Sequence, residues 1–157
     1  MNEWIEEFIG VERDLGTYSF TADEIVKFAT KYDPQRFHVD PEAARKSNFG
    51  ALCASGWHTT AVWMRLNVED MKSVVKAAMA RGEKPPQFGP SPGFENLKWL
   101  KPVYAGDTIR FTRTIKNVRA LKSRPGWSMM QMYSAAYNQR DEKVLEFDSA
   151  ALIALPE

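Results

Sequence analysis

The chain has 157 residues, 44% hydrophobic and 26% charged, with a formal net charge of +1. It is long enough to bury a sizeable core, and one domain over 1–157 is expected. So small a net charge gives no bulk attraction to nucleic acid or an anionic membrane. The single Cys53 excludes an intrachain disulfide, and no clustered His/Cys set with zinc-ligand spacing is present, so no metal site is expected.

The N-terminus carries Glu3, Glu6 and Glu7 and no basic residue before its apolar positions, unlike a signal or transit peptide. No apolar run approaches the roughly 20 residues of a membrane-spanning helix. A cytoplasmic protein is expected. Residues 1–16 read as an N-terminal arm or helix, with Trp4, Ile5, Phe8 and Ile9 at helix-compatible spacing, and Gly16 to Phe20 as a short strand.

Thr21 and Glu24 then form a capping-box pattern. Ile25, Phe28, Ala29 and Tyr32 follow on one helical face. Pro34 disfavours helical geometry at Asp33, so the helix ends there. Asp40-Pro41-Glu42 is a second start signal, with Asp40 as N-cap and Pro41 in the first turn. Between them lies a proline-stiffened turn that holds Asp33 and His38 five residues apart.

After Asn48-Phe49-Gly50, small residues lead to Gly56, where a long apolar helix begins. It runs to about Asn67, with Met71 to Arg81 continuing or restarting it. Thr59, Val62, Trp63 and Leu66 share a face that Ala61, Met64 and Val68 widen, and a helix this apolar is expected to be mostly enclosed. Residues 82–93 form a Pro/Gly-rich loop, long enough to be a cover or an interface segment. Strands are expected over Asn96 to Val103, Thr108 to Val118, Ser128 to Asn138 and Lys143 to Leu155. Long antiparallel strands with one buried helix predict an α+β fold whose sheet curls round that helix.

In this order the elements resemble the MaoC-like dehydratases, hot-dog-fold proteins that include the (R)-specific enoyl-CoA hydratases. The resemblance runs from about Tyr18 to Leu155. Asp33, His38 and Asp40 fall in register with the family's Gly-Asp-x-Asn-Pro-x-His-x-Asp motif, while Tyr32, Gln35 and Arg36 depart from it. Gly56 matches the glycine of an Ala-His-Gly segment, with Ser55 in place of the histidine. Lys101-Pro102-Val103 and Gly106-Asp107 resemble the family's strand and turn after the helix.

The resemblance implies a hydratase or dehydratase acting on a trans-2-enoyl-CoA, with the coenzyme A thioester as substrate and no other cofactor. It also implies a homodimer or a higher even-numbered homo-oligomer. Such chemistry needs a base for water, a proton for the α-carbon and a donor for the thioester oxygen. Asp33 and His38 are the candidates for the first two. Gly56, at a positive helix end, and Ser55 are the candidates for oxyanion and substrate binding. A side chain at Gly56 is expected to project into the acyl site.

Each of these residues also has a plainer role open to it. Asp33 can be a helix-end acid, His38 a structural histidine and Asp40 only an N-cap. No Gly-x-Ser-x-Gly elbow surrounds Ser55, so a serine nucleophile is not expected. His58 reads as a packing or hydrogen-bonding residue, and Cys53 as a small buried thiol. Arg113, Arg119, Lys122 and Arg124 read as solvated charges. A hot-dog thioesterase, or a non-catalytic acyl-thioester-binding module, are the alternatives to a hydratase.

Overall fold

The structure is a computed structural model that describes residues 3–156, with the side chains of residues 3 and 4, and so the expected packing of Trp4, outside the described residues. Five helices and six strands follow in order: α1(Glu3–Glu6), β1(Glu12–Ser19), α2(Ala22–Tyr32), α3(Arg36–Val39), α4(Pro41–Arg45), α5(Gly56–Ala80), β2(Gln87–Phe88), β3(Gly93–Trp99), β4(Thr108–Ala120), β5(Ser128–Tyr137) and β6(Lys143–Ala154). The sheet is antiparallel in the order β1-β4-β5-β6, and β2 and β3 both pair with β6. It curls around α5, the expected hot-dog arrangement.

Apolar residues on the inner face of β4 to β6 meet α5. Ile109, Phe111, Ala136, Leu145 and Phe147 pack with Val62 and Trp63 in the main core. The Trp63 indole N–H donates to the Thr112 carbonyl at 3.2 Å, tying helix to sheet across an otherwise apolar contact. A second core gathers Ile5, Ile115, Met130 and Ile153.

The structure corrects three expectations and decides between the alternatives of a fourth. The arm stops sooner than residue 16: β1 starts at Glu12, and a bulge at Leu15, beside Gly16 at φ +109°, lies within it. Of the two readings open for 71–81 the structure takes continuation: the long helix runs unbroken for 25 residues to Ala80, since no glycine or proline interrupts it before Gly82. It is enclosed on one side only, because Trp57, Met64 and Val68 on its outer side stay exposed. The 82–93 loop contributes β2 to the sheet, and the strand after it starts at Gly93 and ends at Trp99. Among the described residues no helix is long and apolar enough to cross a membrane.

Candidate active site

The site forms where α2 ends. Thr21 caps that helix, its hydroxyl accepting from the Glu24 N–H at 3.3 Å. Ile25 and Ala29 bury its inner face, and the Asp33 N–H closes the last turn on the Ala29 carbonyl at 2.8 Å. The direction of the Asp33 carboxylate is thereby set by the packing of α2. The turn after Pro34 winds into the one-turn helix α3, which was not expected, and this carries His38 inward until it is 6% exposed.

The two side chains meet, with His38 Nε2 lying 3.4 Å from Asp33 Oδ2. On the other side of the ring, Nδ1 is 2.6 Å from the Cys53 carbonyl oxygen. A carbonyl can only accept, so Nδ1 carries a proton and Nε2 is the nitrogen free to exchange one. Asp33 has two further partners. Ser55 Oγ donates to Oδ2 at 2.7 Å and Gln35 Nε2 donates to Oδ1 at 2.8 Å. Burial raises the carboxyl's pKa, but the hydrogen bonds from Gln35 and Ser55 and the charge of His38 outweigh it and hold Asp33 below its ordinary value. Asp33 is therefore ionised at neutral pH.

Ser55 is the N-cap of α5 and is buried, its hydroxyl also accepting from the Trp57 N–H at 3.3 Å. It stands behind Asp33 and not on the cleft wall. Asp40 is the N-cap of α4, accepting from the N–H groups of Glu42 and Ala43, and is thereby committed to structure. Gly56 is the first residue of α5 and lines the same cleft as Asp33 and His38. The first N–H groups of a helix have no intrahelical acceptor and face a positive dipole end. The cleft holds about 640 Å³, with Phe37, Phe49, Trp57, Trp99 and Val103 in its apolar walls.

A Cβ built on Gly56 would stand 2.3 Å from Trp99 ring carbons. The side-chain position at Gly56 is thus taken by Trp99, itself a wall of the cleft, where a side chain projecting into the site was expected. Trp99 is held there by its indole N–H donating to Thr60 Oγ1 at 3.2 Å and by an edge contact with Trp57 at 4.9 Å.

His58 packs flat on Phe28, centroids 4.5 Å apart, with Phe20 edge-on, and burial lowers its pKa. Cys53 is buried and its thiol is pushed up to about 11, which keeps it protonated and weakly nucleophilic. Arg113 is not a solvated charge but lies buried against Asn67 and Asp70. Sequence reasoning did not find the contacts of Gln35, the Cys53 carbonyl or Trp99. Only Gln35, two residues from Asp33, had a local signal.

The family model described as "MaoC like domain" matches residues 6–126. The chain is 27% identical over 150 residues to the protein YdeM of Bacillus subtilis (strain 168), covering 95% of this chain and 97% of that one. A MaoC-like dehydratase from Rhodospirillum rubrum is 33% identical and superposes with a TM-score of 0.75 over 95% of this chain and 93% of its own. The (R)-hydratase from A. caviae involved in PHA biosynthesis, at 17% identity, superposes with a TM-score of 0.63 over 94% of this chain and 96% of its own, a likeness of fold.

Proposed function

The chain belongs to the MaoC-like family, and from that premise we propose that it hydrates a trans-2-enoyl-CoA, or runs the reverse dehydration, at Asp33 and His38. The observation that carries this is the pairing of an ionised carboxylate with an imidazole whose Nδ1 is committed to the Cys53 carbonyl. Asp33 removes a proton from water as its oxygen attacks the β-carbon. The proton taken by Asp33 passes across their contact to His38 Nε2 and from there to the α-carbon as the enolate collapses, which leaves the pair as it started. The Gly56 N–H at the head of α5 carries the oxyanion, and Ser55 acts by positioning Asp33. Each proton has a named donor and acceptor, so the cycle calls for no metal or redox cofactor.

Product analysis with enoyl-CoA thioesters of increasing chain length tests the reading. A 3-hydroxyacyl-CoA is expected. Free coenzyme A would indicate a thioesterase, and saturable binding without turnover would indicate a binding module.

Replacing Ser55 by Ala separates its two duties. Loss of the N-cap should lower stability by about 0.5–2 kcal/mol. Loss of the hydrogen bond to Oδ2 removes one of the interactions that lower the Asp33 pKa, so that pKa must rise. The base is active when ionised, so the acid limb of the kcat/KM profile should move to higher pH. A profile in which the limb stays put would confine Ser55 to its cap.

A homodimer is also part of the proposal. The edge strand β3 leaves one side unpaired and exposes Phe94 and Trp99. Beside it, Met64 and Val68 on α5 border an apolar groove of about 500 Å³. An uncovered strand edge favours association with another strand, and a second copy would offer the same edge. Sedimentation at micromolar concentration should give twice the chain mass, and a monomer would count against the assembly.

A further inference from the structure

A second cavity, of about 350 Å³, lies along α5 away from the cleft and shares no lining residue with it. Its volume falls within the range of small-molecule sites, about 300–1,000 Å³. Ile5, Phe8, Val74, Ile115 and Ile153 make most of it apolar, and Arg113 of β4 stands in its wall.

Arg113 is 8% exposed and only partly satisfied. Its Nη1 donates to Asn67 Oδ1 at 2.5 Å and its Nη2 to Asp70 Oδ2 at 2.9 Å, while the buried Nε–H has no acceptor. An unpaired buried donor on a cationic group is rare enough in folded proteins to call for a partner. Asp70 is also shared: Arg13 Nε and Nη2 reach it at 2.7–2.9 Å, and Arg13 lines the cavity too. Two guanidinium groups thus share one carboxylate at the wall of an apolar chamber. Glu7 and Glu12 also line the cavity, but Glu12 is engaged by Arg110 at 3.7 Å and Glu7 is exposed to solvent.

We propose that this cavity binds a medium-chain aliphatic carboxylate, its tail among Val74, Ile115 and Ile153 and its head group on the Arg113 guanidinium. The site is separate from the cleft, so a carboxylate there need not compete with an acyl thioester.

Isothermal titration of the full chain with octanoate, octanol and octylamine tests the assignment. Octanoate should bind one-to-one, octanol about tenfold more weakly for want of a charged acceptor, and octylamine not at all. Val74→Phe, which fills the chamber, should weaken octanoate binding by about tenfold or more. Val11→Trp is the second variant, placed at an exposed lining position where a large side chain can be accommodated in the fold, and should do the same. Both should leave the rate on an enoyl-CoA unchanged, and an enoyl-CoA should not displace octanoate. Absence of saturable octanoate binding, equal binding of octylamine, displacement by enoyl-CoA, or octanoate binding undiminished in a folded variant would each overturn the site. Failure of enoyl-CoA turnover would overturn the hydratase reading and leave the octanoate result standing by itself.

Discussion

Asp33→Asn is expected to lower kcat by about 10²–10⁴-fold, the range for loss of a positioned general base, in a protein that still folds. The surroundings can absorb the amide. Oδ1 accepts from Gln35 and Oδ2 from Ser55, and both donors can rotate to suit an amide group. What disappears is the charge and the basic lone pair. The stability comparison has a definite sign. In the native state the Asp33 pKa is depressed, so its contribution is present above the unfolded carboxyl value and fades as pH falls through the native one. Wild type and variant should therefore differ most in thermal midpoint near neutral pH and converge in acid. His38→Ala should reduce kcat comparably, and the double variant should be no worse than the worse single one if the pair works as a unit. Wild-type kcat in a folded Asp33→Asn protein would take Asp33 out of the mechanism.

The pair was legible because its placement is local. A capped amphipathic helix ended by Pro34 puts Asp33 at the helix terminus, and Asp40 with Pro41 starts the next helix, leaving His38 little room to be elsewhere. The partners that tune the pair were not legible for the opposite reason. Ser55 is 22 residues from Asp33 and comes to it only because α5 starts beside the end of α2. The acceptor for His38 is a backbone carbonyl, and any residue at position 53 could supply one. Arg113 looked like a surface charge on a strand. Its burial depends on Asn67 and Asp70 from α5, 46 and 43 residues earlier, and so on a helix continuing past the point where its apolar pattern weakens. Strand identities followed from alternation, but β2 has only two residues and no periodicity to detect.

Gly56→Val is expected to cripple turnover, and the structure changes the reason. Gly56 does not have a positive φ, so a tight turn is not what calls for glycine. The constraint is the Trp99 ring, which a Cβ would meet at 2.3 Å. A valine must push Trp99 off, breaking its hydrogen bond to Thr60 and its edge contact with Trp57, and all three residues stand at or beside the cleft. Two causes of lost activity are then mixed: displacement of Trp99, and a shift of the α5 N–H proposed above as the oxyanion donor. The Trp99→Ala background separates them, because there the valine has room. If the valine displaces the head of α5 in its own right, Gly56→Val should still lower kcat by about 10²–10³-fold in that background, the usual loss for one oxyanion donor. Helix propensity alone costs nothing there, since glycine is the poorer helix former. If the clash with Trp99 is the whole constraint, the Gly56→Val/Trp99→Ala protein should be as active as Trp99→Ala alone, and the loss in the single variant is traced to Trp99 and the backbone shift it forces. Measuring kcat/KM and thermal midpoint on all four proteins keeps unfolding from passing as lost catalysis, since a folded protein with normal midpoint and absent turnover can only have lost its site.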